Sequence, residues 1–191
     1  MTKIKLGPQT LLYPMPAVLV GANINNKPNF MTAAWAGIVN GEPPMISVAI
    51  RSVRHTLKGI KQNNTFSVNI PSINLVKETD YCGLYSGDKV DKVKTCAFTI
   101  FYGSQETAPM IQQCPVNLEC SVINITKNGS HELVIGKIEE TYISDDCLTG
   151  GKVDVSKVMP LIFASGSSFN YYELGRIIGP AFKAGKDLAS G

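Results

Sequence analysis

Histidine, charge and long apolar runs are all scarce in this chain, and each scarcity excludes something. Only His55 and His131 occur among 191 residues. They lie far apart, and none of the five cysteines (Cys82, Cys96, Cys114, Cys120, Cys147) forms a C-x-x-C pair, so no metal site is expected. The odd, irregularly spaced cysteines also argue against a disulfide framework and for a reduced, cytoplasmic location. Charged residues make up 17% of the chain, with a net charge of +3 that is scattered rather than striped. Nucleic acid is therefore not the expected partner, whereas a small anionic ligand suits the mild excess. No apolar run approaches the roughly 20 residues of a membrane span. Residues Met1–Gln9 lack a basic segment followed by an apolar one, so no signal peptide is expected. No G-x-G-x-x-G, Walker A loop or G-x-S-x-G elbow is present, which excludes the dinucleotide, nucleoside triphosphate and hydrolase motifs. Ser165–Ser168 reads as a polar turn.

What is there is a chain of globular composition, 44% hydrophobic, with strand signals along most of its length. Ala17–Ile24 is apolar and β-branched and runs into the turn-forming Asn25–Asn29. Phe30–Ile38 reads as the returning strand. Met45–Ile50 follows Pro43–Pro44 as a buried strand. His55–Asn63 has helical spacing and stops at Asn63–Asn64. Phe66, Val68 and Ile70 alternate up to Pro71, and Leu75–Leu84 reads as a helix. Phe98, Ile100 and Tyr102 alternate. Asn117–Lys127 and Glu132–Ser144 flank Asn128–Gly129, the strongest hairpin signal in the chain. Leu161–Ala164 is a short strand, and Ile177–Leu188 a weak helix interrupted by Gly179–Pro180. Neither a repeat nor a long linker divides residues 1–191. The expected fold is mostly β with short helices, a single domain closed or partly closed into a barrel so that few strand edges remain exposed.

Four polar segments at strand ends are candidates for chemistry, and each has an ordinary structural reading beside the functional one. Asn29–Trp35 offers the Thr32 hydroxyl, two small residues and the only tryptophan, or simply a strand with a core indole. Arg51–Thr56 offers a guanidinium, two hydroxyls and backbone N–H groups at a helix start, which suit a phosphate; it serves equally as a capped helix terminus. Ser86, Gly87 and Lys92 add donors for the same anion or form a flexible loop. Tyr171–Tyr172 presents a ring to a flat ligand or packs internally.

Taken in order, these segments resemble the flavin-reductase-like, FMN-binding split-barrel family, in particular its flavoredoxin branch. The matching residues are Asn29-x-x-Thr32-Ala33-Ala34-Trp35, Pro43-Pro44, Arg51-Ser52-x-x-His55-Thr56, Phe66-Ser67-Val68-Asn69, Asp80-Tyr81-Cys82-Gly83, Ser86-Gly87 with Asp91-Lys92, and Tyr171-Tyr172-x-Leu174-Gly175. The resemblance implies a six-stranded, Greek-key split barrel, a homodimer, and FMN near the subunit interface. It implies phosphate contacts from Arg51, Ser52, His55, Thr56, Ser86, Gly87 and Lys92. The backbone of Thr32, Ala33 and Ala34 then faces the flavin ring, with Trp35 and Tyr172 around it. Val93 and Cys96 stand where the family pattern has an aromatic and a glycine, a departure that bears on partner choice. The flavin supplies the redox chemistry, so no catalytic acid or base is assigned. The expected activity is electron transfer through bound FMN, from a ferredoxin-like or nicotinamide donor. An NAD(P)H:flavin reductase that releases its flavin shares nearly every residue, and a barrel that has lost its ligand is the non-catalytic alternative.

Overall fold

In the computed structural model, which describes residues 1–166 and 168–189, the strand pattern resolves into one curled sheet with helices laid against it. In chain order the elements are β1 (Met15–Pro16), β2 (Val18–Ile24), β3 (Lys27–Ala33), β4 (Ala36–Gly41), β5 (Pro44–Arg51), α1 (His55–Asn63) and β6 (Thr65–Ile70). Then follow α2 (Val76–Leu84), α3 (Lys92–Thr95), β7 (Ile100–Phe101), β8 (Met110–Ile111), β9 (Val116–Asn128) and β10 (His131–Ile143). The chain closes with β11 (Leu148–Thr149), β12 (Lys152–Val153), α4 (Val155–Val158), β13 (Ile162–Ala164) and β14 (Asn170–Tyr172).

The main sheet has seven strands in the order β3-β2-β6-β9-β10-β5-β4, every neighbouring pair antiparallel. The resemblance implied six. Its two edges, β3 and β4, are consecutive in the chain and separated by only Ala34 and Trp35. A two-residue link forces the edges to meet at that corner, so the sheet must curl into a barrel left split between them. A second sheet, β1-β13-β14, carries the Tyr171–Tyr172 segment beside this corner.

The core lies inside the curl. Val18, Val20, Met31, Val48, Phe66 and Val134 belong to one buried cluster. Phe66 fills the space over Gly136, where any Cβ would stand 2.4 Å from its ring, and the β9–β10 register shifts at Ile135/Gly136. β2 is buried on both faces, which is why it reads as a continuous apolar run rather than an alternation. Its outward Leu19 joins Phe30, Cys82, Phe98, Ile111 and Cys114 in a second cluster under α2 and α3.

Four sequence expectations are corrected. The single strand predicted over Phe30–Ile38 is broken at Ala34–Trp35, because the chain must leave one sheet edge and start the other there. The hairpin turn is Gly129–Ser130, one residue later than predicted, with Asn128 paired to His131 and Gly129 at φ 58°. The other tight hairpin places Asn25 and Asn26 at φ 50° and 62°, as a two-residue turn of primed type demands. Of Phe98–Tyr102, only Ile100–Phe101 pairs as a strand. The Ile177–Leu188 helix does not form: Gly179–Pro180 interrupts it, and only a 3-10 turn at Lys186–Ala189 follows. Ile177, Ile178 and Phe182 are almost fully exposed, so these side chains bring no apolar packing among the described residues to stabilise a helix there. Of the predicted Ser165–Ser168 turn, Ser167 lies outside the described residues.

Candidate functional site

The turn from β5 into α1 sets the site. Arg51 ends β5, Arg54 is the N-cap residue of α1, and no side chain caps the helix. The Leu57 N–H bonds to the Arg54 carbonyl at 3.2 Å, which leaves those of His55 and Thr56 for a ligand. Opposite them run the end of α2, Gly83 and Leu84, and the loop Tyr85–Gly87. Between the two lies a cleft of about 360 Å³ lined by Arg51, Arg54, His55, Thr56, Ser86, Gly87 and Lys92 among others. A second cleft of about 250 Å³ shares Arg54, Gly83 and Leu84 with the first and is lined further by Ala17, Thr32, Ala34, Asp80, Phe163 and Tyr171. Cofactor sites span roughly 300–1,000 Å³.

The first cleft holds positive charge that the protein does not neutralise. Lys92 is buried, and its Nζ donates to the carbonyls of Phe30 and Cys82, each at 2.8 Å. Arg54 is partly buried, and its Nη1 donates to the Gly83 carbonyl at 2.8 Å. Among the described residues neither Lys92, Arg54 nor Arg51 has a carboxylate within ion-pair distance. Burial lowers the Lys92 ammonium from its ordinary value, with Arg54 adding to the effect and the Cys82 thiol opposing it. Burial and then the Arg51 charge lower Arg54 in the same direction. Both groups are cations held where a cation is costly, and a bound anion would offset that cost. His55 Nδ1 is buried without a hydrogen-bond partner among the described residues, the nearest carboxylate oxygen of Asp88 lying 3.6 Å away. Asn29 Nδ2 donates to Thr56 Oγ1 at 2.7 Å, which leaves the threonine O–H free to donate. Gly87 lies against Asn29 so closely that a Cβ would stand 1.7 Å from Oδ1, so only glycine lets the loop approach here.

The second cleft is floored by small residues and walled by aromatics. Thr32 Oγ1 donates to the Thr79 carbonyl, tying β3 to α2. Tyr171 Oη donates to Asp80 Oδ1 at 3.1 Å, and burial together with that carboxylate pushes the phenol up to about 12. A flat apolar ring fits such walls, and an anion fits the first cleft; the donor set suits a group that carries both.

The structure brings together Thr32, Ala34, Arg51, His55, Thr56, Ser86, Gly87 and Lys92 in the two joined clefts. It puts the side chains of four others elsewhere. Ala33 faces the barrel core. Ser52 is exposed, and its backbone N–H donates to the Ser130 carbonyl at 3.2 Å. Trp35 stacks on His131, ring centroids 4.8 Å apart, and lines a separate apolar groove of about 600 Å³ with Leu11, Leu12, Ala36 and Leu133. Tyr172 is exposed and its neighbour Tyr171 lines the cleft, as strand alternation requires of adjacent residues. Sequence reasoning missed Arg54 and Asn29. Arg54 stood within the recognised Arg51–Thr56 segment, and its position just before the helix was the available signal; nothing in the sequence pairs Asn29 with Thr56.

Comparison with known proteins shows the family and the fold. A family model for the flavin reductase like domain matches residues 10–171. The chain belongs to that family. An uncharacterized protein of Archaeoglobus fulgidus is 32% identical over 83% of this chain and 88% of its own length. Among solved structures, the flavoredoxin of Methanosarcina acetivorans is 41% identical, with a TM-score of 0.93, covering 98% of this chain and all of that one. The flavoredoxin of Desulfovibrio vulgaris is 37% identical, with a TM-score of 0.90, over 97% of this chain and all of that one. An FMN-binding protein of Thermus thermophilus, at 19% identity and a TM-score of 0.77, shares the fold. No helix among the described residues is long and apolar enough to cross a membrane.

Proposed function

We propose that this protein binds FMN in the joined clefts and transfers electrons through it, in the manner its flavoredoxin relatives suggest. One observation carries the reading: three cations and an uncapped helix start converge on one cleft, with no carboxylate partner among the described residues. Arg54, Lys92 and the α1 N–H groups hold the phosphate, with Arg51 at the rim. Thr32 and Ala34 allow close approach of the ring, and Phe163 and Tyr171 exclude water from it. The flavin, when bound, supplies the redox chemistry. The chain acts as an oxidoreductase in the cytoplasm and as a homodimer, and its electrons come from a ferredoxin-like protein or a nicotinamide. For the dimer, support comes from the apolar groove around Trp35 together with the exposed edge strand β4, where Ile38 and Val39 are uncovered.

The visible spectrum of the freshly purified protein, followed by release and identification of the chromophore, tests the reading. A yellow protein carrying about one FMN per chain is expected. A colourless protein that fails to take up added FMN overturns it. Weak, reversible binding with NAD(P)H oxidation dependent on free flavin would make the protein a flavin reductase instead.

A further inference from the structure

The second cleft carries one carboxylate on its wall, that of Asp80, among residues otherwise apolar, hydroxyl-bearing or cationic. Asp80, Gly83 and Leu84 stand three and four residues apart on α2, so they share a face of the helix. All three line the cleft. From the other side, the register of β13 and β14 sets Phe163 opposite Tyr171, their ring centroids 5.8 Å apart. Both rings line the cleft, and Tyr171 Oη crosses to donate to Asp80 Oδ1 at 3.1 Å. The phenol keeps its proton for that bond, since burial and the carboxylate itself push it up to about 12. A charged acceptor makes the bond a strong one, so the carboxylate is fixed against the wall. No cation neutralises it: among the described residues none lies within ion-pair distance of Asp80. Arg54 lines the same cleft but turns its Nη1 to the Gly83 carbonyl at 2.8 Å, and it lines the phosphate cleft as well. Asp80 is half-buried, where water screens its field less than on an open surface.

We infer that Asp80 sets the redox potential of this site, its fixed negative charge on the cleft wall disfavouring reduced flavin. The inference rests on the FMN reading and names the residue that tunes it. Taking up two electrons and one proton at neutral pH leaves a flavin ring with one more negative charge than the oxidised ring. A carboxylate in the same cleft leaves the neutral ring nearly untouched and repels the charged one. Compared with a neutral residue at this position, Asp80 lowers the affinity for reduced FMN relative to oxidised FMN. That difference in affinity is a lowered midpoint potential. Tyr171 is a positioning residue, holding the carboxylate where its charge is felt.

The test is a potentiometric titration of the FMN-loaded full chain, with dithionite as the electron source and a reference dye. Asp80→Asn keeps an oxygen to accept from Tyr171 and removes the charge. It should raise the midpoint potential by about 30 mV or more, which is a tenfold or greater gain in affinity for reduced over oxidised FMN. Uptake of oxidised FMN by the empty variant, read by fluorescence quenching, should stay close to wild type. Asp80→Ser also removes the charge and should shift the same way, so the question is answered even where one variant fails to fold. Asp80→Glu restores the charge and should return the potential toward the wild-type value. The inference is overturned if the neutral variants titrate at the wild-type potential, or if Asp80→Glu rises with them. A wild-type protein that takes up no FMN overturns the reading beneath it instead, and shows this before any potential is measured.

Discussion

Two depressions flank the corner where β3 passes into β4, and they are unsatisfied in opposite ways. Among the described residues, the cleft at the start of α1 has cations without counter-charges, and the groove around Trp35 has apolar side chains without cover. Both states are costly in water, and each names the chemistry that relieves it: an anion for the first, another apolar surface for the second. A site is thus readable from what the fold leaves uncompensated.

The difference can be sharpened by mutation. Arg54→Ala should weaken FMN binding most, by about 1.5–3 kcal/mol, or ~10–150-fold, because a half-buried guanidinium makes a charge-assisted contact that water screens poorly. Titration by fluorescence quenching reads it, and an unchanged dissociation constant removes Arg54 from the site. Ile38→Glu should convert a dimer to a monomer in light scattering, since burying an isoleucine is worth about 1.5–3 kcal/mol per subunit. A dimer that persists would detach the groove and β4 from the interface. Arg51→Ala should cost about 1 kcal/mol of FMN binding and lose most of that at high salt, because Arg51 is exposed.

A pH effect follows from Lys92. Its folded value lies below the ordinary 10.5. The ammonium therefore costs the empty fold stability below the folded value, and that cost is relieved as pH rises from there toward 10.5. Empty wild type should gain stability relative to Lys92→Met across that window in thermal melts, while FMN affinity falls over the same window as the proton leaves. The smallest effect belongs to Lys61→Met. Lys61 meets Glu132 at 2.6 Å but is half exposed, so its loss should cost no more than about 1 kcal/mol in denaturant unfolding.

How far the sequence carried depends on the range of the interactions. Local signals were enough for β2, β5, α1 and β6, where period, turn residues and Asn64 at φ 56° act within a few residues. The break at Ala34–Trp35 was not visible, because it is the curl of the whole sheet that ends one strand and starts another. The phosphate cradle was half legible: Arg51–Thr56 stood out as a segment, but that Arg54 turns inward and Ser52 stays exposed is tied to partners far along the chain, the Gly83 and Ser130 carbonyls. Tyr171 and Tyr172 were indistinguishable until the pairing of β13 with β14 fixed which face each takes.

Ala34 lines both the aromatic-walled cleft and the apolar groove. It is a party wall one methyl group thick. A bulkier residue there would intrude on both neighbours at once, so a single substitution such as Ala34→Val should register both in ligand uptake and in subunit association, two properties that Ile38→Glu and Arg54→Ala approach from separate sides.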